Sequence, residues 1–103
     1  MGNLKIRINE YKEKKLIYIK FEGALYKKKA DKLSADIKNY LEKNKTKLKL
    51  DFEKLKIAEK EAMESFASEL KNYRDRIEIS LPKNFASNSA GFLFVAEIFK
   101  IMK

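Results

Sequence analysis

The chain has 103 residues, a net charge of +9, and no cysteine, histidine or tryptophan. The missing cysteine excludes disulfide staples, thiol nucleophiles and cysteine–histidine zinc sites, and the missing histidine leaves no side chain that ordinarily titrates near neutral pH. The length is that of a single domain over residues 1–103, enough to bury a core of its own.

The opening run MGNLKIRINEY lacks the apolar centre of a signal peptide, and no stretch reaches the ~20 apolar residues of a membrane span. A cytoplasmic protein is expected. The positive charge is uneven. Residues 1–50 hold 15 Lys/Arg against 6 Asp/Glu, whereas residues 51–103 hold 9 of each. Such a basic half is either a solvated lysine surface or an attraction for acidic partners.

Leu4, Ile6 and Ile8 alternate with Lys5, Arg7 and Asn9, the period of a half-buried strand. YKEKK then predicts a turn, and LIYIKF (16–21) a second, central strand with apolar residues on both faces. Gly23 interrupts. From about Tyr26 to Lys43, Ala30, Leu33, Ile37 and Leu41 recur at helical spacing, with Tyr40 beside them. Leu48, Leu50 and Phe52 alternate with Lys47, Lys49 and Asp51 as a third strand. A second helix is predicted from about Glu59 to Tyr73, burying Ala62, Met63, Phe66, Leu70 and Tyr73. Ile77, Ile79 and Leu81 mark a fourth strand ended by Pro82, and AGFLFVAEIFKIM a last helix.

The predicted order is β-β-α-β-α-β-α. Helical crossovers imply parallel pairing among the last three strands, and the short first connection implies an antiparallel pair. Strands covered on both faces read as continuous apolar runs, but strands one, three and four alternate. The expectation is therefore a two-layer α/β domain, a four-stranded mixed sheet with its helices on one face. The open face would carry Lys5, Arg7, Lys47, Lys49, Arg76 and Glu78.

Three stretches resemble the STAS domain, the fold of bacterial anti-sigma factor antagonists. IKFEGAL resembles the strand and Gly-(Glu/Asp)-Leu before the family's first helix. LKLDFEKLKI is similar to its V-x-L-D-(L/F) strand, and EIFKIMK to its Leu-Phe-x-Ile ending. The family continues its strand with Asp-Ser-Ser-Gly-Leu, and an ungapped alignment sets Glu59, Lys60, Glu61, Ala62 and Met63 at those places. Glu61 then stands where the family carries the serine that an anti-sigma kinase phosphorylates. The resemblance thus implies a non-catalytic, protein-binding regulatory domain that works without a cofactor or metal and cannot be phosphorylated at the family site.

The partner surface implied by the resemblance is Gly23, Lys27, Lys28 and Lys29 together with Glu59, Lys60, Glu61, Ala62 and Met63. Its partner would be an anti-sigma kinase, or a component of a lipid-transport ABC complex of which this chain is a small STAS subunit. Two competing accounts fit Glu61: an imitation of phosphoserine, or an acid that matches the helix macrodipole together with Glu59 and Glu64. Ser65 and Ser68 are the nearest hydroxyls beyond the turn. Lys27–Lys29 oppose the dipole of the first helix. The last helix is apolar on two stripes, one containing Phe92 and the other Phe94 and Ile98, which suits a core edge or a homodimer. A nucleic-acid-binding basic face is the remaining alternative; it offers only Tyr18 for stacking and is disfavoured.

Overall fold

The computed structural model describes residues 4–82. The expected order is found over that range: β1 (Leu4–Tyr11), β2 (Leu16–Leu25), α1 (Lys27–Lys43), β3 (Lys47–Ala58), α2 (Lys60–Leu70) and β4 (Ile77–Ser80). The strands lie side by side in chain order, β1 antiparallel to β2 and the other pairs parallel. Both helices cover the same face. Ile17, Ile19 and Phe21 of β2, Leu48, Leu50 and Phe52 of β3, and Ile77 and Ile79 of β4 form one buried cluster with Ala30, Ile37 and Leu41 of α1 and with Ala62, Met63, Phe66 and Leu70 of α2. At its centre Phe21, Phe52 and Phe66 meet with ring centroids 5.0 to 5.8 Å apart, two of the three pairs edge to face.

The strands are longer than the alternation suggested. β2 does not stop at Gly23 but runs through it to Leu25, and Gly23 takes φ 104°, a backbone region open to glycine. β3 extends past Phe52 to Ala58 and carries one extra residue between Asp51 and Lys54 and another between Leu55 and Ile57 relative to β2. Each extra residue breaks the period of two, so the sequence pattern fades where the strand continues. α2 is shorter than predicted: after Leu70 the chain tightens into a 3-10 segment, Lys71–Arg76, which contains the half-buried Tyr73.

Arg76 was expected on the open sheet face and is not there. It lies at the end of the 3-10 segment. Its guanidinium donates to the carbonyls of Leu41 (2.9 Å), Asn44 (2.6 Å) and Thr46 (3.1 Å), closing the C-terminal end of α1. These carbonyls include acceptors that a helix end leaves without partners, and the positive charge suits the negative end of the macrodipole. The predicted last helix, with Phe92, Phe94 and Ile98, lies outside the described residues.

Candidate functional site: two helix starts side by side

The parallel pairing of β2 with β3 brings their C-terminal ends together, Leu25 opposite Ala58. Each strand passes directly into a helix, so the starts of α1 and α2 share one end of the sheet. Two contacts tie the turns to each other. The Glu59 N–H donates to the Leu25 carbonyl at 3.0 Å, and the Lys27 N–H donates to Glu59 Oε1 at 2.6 Å.

The second contact changes the role expected of Glu59. As the N-cap of α2 it was expected to serve that helix, but its side chain makes no capping bond there. It caps α1 instead. Tyr26, the residue before α1, supplies no side-chain acceptor, and the first turn of α1 contains no acid, only the lysine run. A carboxylate from the neighbouring turn fills that place, accepting a free helix N–H and putting negative charge at the positive end of the dipole. Glu61 stays in the first turn of α2, exposed, and its field adds to the pull that raises the Lys27 pKa.

A side-chain chain continues across the helix pair. Lys27 Nζ reaches Asp31 Oδ2 at 2.8 Å, one helical turn on, and the Ser65 hydroxyl of α2 donates to Asp31 Oδ1 at 2.6 Å. Asp31 is held below the ordinary carboxylate range, first by the Lys27 bond and then by the Ser65 bond. The Lys27 ammonium is pushed up, chiefly by the same Asp31 bond. Lys28, Lys29 and Lys60 are exposed around this network.

Of the residues expected at the surface, Lys27, Lys28, Lys29, Glu59, Lys60 and Glu61 are exposed and gather at this end. Gly23 is half-buried inside β2, paired with Leu4 and Leu55, and so belongs to the sheet, not to a loop. Ala62 and Met63 face the core with no exposed surface, as the inward positions of an amphipathic helix do. They hold α2 in place and offer nothing to a partner. Asp31 and Ser65 were missed. The i,i+4 spacing of Lys27 and Asp31 was legible as a helical pair, but the Asp31–Ser65 bond joins residues 34 apart, and only the fold brings them together.

The open face of the sheet carries Lys5, Arg7, Lys20 and Lys49, and also Glu22, Asp51 and Glu78 in the same rows. Asp51 is only 6% exposed, and the Tyr18 hydroxyl and the Glu53 N–H (2.9 Å) both donate to it. Lys49 Nζ lies 5.7 Å from the Tyr18 ring centroid. The one aromatic expected to offer a stacking surface is thus held by its neighbours at hydroxyl and ring. Among the described residues no helix is long and apolar enough to cross a membrane.

No protein-family model matches the chain, and no curated protein matches it. Among solved structures, the chain is similar to the crystal structure of an antisigma-factor antagonist STAS domain from Rhodobacter sphaeroides, at 11% identity and a TM-score of 0.49, over 77% of this chain and 85% of that one.

Proposed function

We propose that this chain is a non-catalytic regulatory domain that binds a protein partner through the paired starts of α1 and α2, without phosphorylation at that turn. The reading rests on the STAS-like motifs in the sequence. The observation that carries it is the Glu59 clasp: one carboxylate fixes two exposed, charged turns against each other and so preorganises a small surface with Lys28, Lys29, Lys60 and Glu61 around it. Preorganisation lowers the ordering cost of association. The exposed charges set register and encounter rate more than affinity.

At this surface Glu61 is a fixed negative charge in place of a switchable hydroxyl. It carries one charge and two acceptor oxygens, where phosphoserine carries about −1.5 to −2 and three. A partner that reads this turn therefore meets it in one charge state. Incubation with ATP and an anti-sigma kinase is expected to place no label between Glu59 and Met63. A label on Ser65 or Ser68 that abolishes partner binding would move the family site one or two turns along α2 and overturn the alignment. Capture from native extract distinguishes the partner classes: a sigma-regulatory kinase or a transporter ATPase supports the reading, and sub-micromolar binding of RNA at physiological salt contradicts it.

A further inference from the structure

The outer edge of the sheet is unlike the rest of the surface. Among the described residues β1 pairs on one side only, with β2, through eight successive residue pairs from Leu4–Gly23 to Tyr11–Leu16 without a bulge. It contains no proline. Sheet edges are ordinarily blunted by bulges, by proline, by shortness or by charged side chains, because a regular edge is a template for another strand, and of these β1 has only the charges of Lys5, Arg7 and Glu10. Ile8, expected on the buried face of β1, is 64% exposed and is the most exposed large apolar side chain among the described residues. It borders an apolar groove of about 290 Å³ between β1 and α1, lined by Ile6, Ile17, Leu33, Ile37 and Tyr40.

We propose that β1 pairs antiparallel with β1 of a second copy of this chain, centred on Ile8, to give one sheet continuous across the two copies. The charge pattern of the strand selects both the occupant and the register. Lys5 and Arg7 lie in its first half, Asn9, Glu10 and Tyr11 in its second. Antiparallel self-pairing about Ile8 sets Lys5 across from Tyr11, Ile6 across from Glu10 and Arg7 across from Asn9, with no like charges opposed. Centring on Arg7 would put two guanidinium groups face to face, and centring on Asn9 would shorten the ladder and lose the Ile8–Ile8 contact. Directly opposed residues share a face, so Ile8 meets the second Ile8 on the helix side, with Ile6 and Glu10 as its diagonal neighbours. The pairing covers the exposed isoleucine and satisfies the edge backbone groups. Two chains of +9 repel, so added salt strengthens this contact, the opposite of a phosphate-binding surface.

The chain has no cysteine, so a single introduced thiol reports the contact cleanly. Facing Cα atoms in an antiparallel pair lie about 4.5 to 5.5 Å apart, within the span of a disulfide, about 4.4 to 6.8 Å. Ile8→Cys under mild oxidation is expected to become a disulfide-linked dimer at least tenfold faster than Ile57→Cys, whose position is also exposed (51%) but lies near the end of β3. Sedimentation of the wild type is expected to show a monomer–dimer equilibrium that shifts toward dimer with salt, and Ile8→Lys to be monomeric with an unchanged circular dichroism spectrum. Equal cross-linking rates at the two positions, a wild type with dimer Kd weaker than about 1 mM, or a dimer that survives Ile8→Lys would each overturn the proposal.

Discussion

Two carboxylates show how much a single side chain decides here. Asp51 is buried on the open face of the sheet, where the Tyr18 hydroxyl and the Glu53 N–H both donate to it. The cost of burying a carboxylate is offset only while such donors are present. The same bond pushes the Tyr18 phenol up to about 12, the Asp51 hydrogen bond being the largest cause. Because the folded value lies above the ordinary one, this stabilisation is complete below the ordinary tyrosine pKa and is lost as pH rises through about 12. Tyr18→Phe is expected to cost about 1–3 kcal/mol in denaturant unfolding, the range for leaving a buried acceptor short of a donor. It should also delete the latest phase from an ultraviolet titration of tyrosinate. Asp31 runs the other way: its folded pKa lies below the ordinary carboxylate value, so its contribution is complete above that value and is lost as pH falls through the folded one. Ser65→Ala removes one of the two bonds that lower it. A carboxyl titration followed by NMR should then find the Asp31 midpoint moved upward; an unmoved midpoint would mean that the Ser65 bond is not formed in solution.

At the scale of elements, the junctions between strands and helices are made by residues distant in sequence. Glu59 belongs to α2 by position and serves α1 by contact. Glu59→Ala should therefore destabilise the protein by about 1 kcal/mol, as the loss of a capping acceptor does. Faster hydrogen exchange at the Lys27 amide, more than at the amides of the first turn of α2, would locate the effect. Arg76 does the corresponding work at the other end of α1, where one guanidinium serves three carbonyls. Arg76→Lys keeps the charge and loses the planar fork, and is expected to cost about 1–2 kcal/mol; a substitution neutral in thermal unfolding would show that the clamp is incidental. These contacts also explain what was legible in the sequence. The core was: Leu48, Leu50 and Phe52 at period two, and Ala62, Met63, Phe66 and Leu70 at helical spacing, are all buried as read. The far ends of β2 and β3 were not, because bulges shift the period just where Glu53 and Leu55 continue the strand. Arg76 was read as a strand residue because it precedes Ile77 in an alternating run, and only the arrival of α1's C-terminal end beside it gives it another use. The lysine run at the start of α1 looked like a conflict with the helix dipole, and the resolving carboxylate is 32 residues away from Lys27.

For the molecule as a whole, the layout separates three surfaces. The helices seal one face of the sheet; the other alternates cations with Glu22, Asp51 and Glu78; and the end where β2 and β3 enter their helices gathers exposed charge around a fixed clasp. The excess positive charge of residues 1–50 is spread over β1, the following turn, α1 and the Lys45–Lys49 run, and Lys14, Lys15, Lys45 and Lys47 line one pocket with Arg76. Weak, non-specific and steeply salt-dependent nucleic-acid binding is the most that such a distribution predicts. The partner-binding role proposed for the paired helix starts depends on their exposed charges. It is tested most directly by the affinity of the captured partner for the wild type, Glu61→Ser and Lys60→Ala, measured by calorimetry under one buffer condition. At least one substitution is expected to shift Kd tenfold or more, about 1.4 kcal/mol, while unfolding stability changes by only a few tenths of a kcal/mol. Affinities unchanged within a factor of about two for both variants, roughly 0.4 kcal/mol, would contradict it.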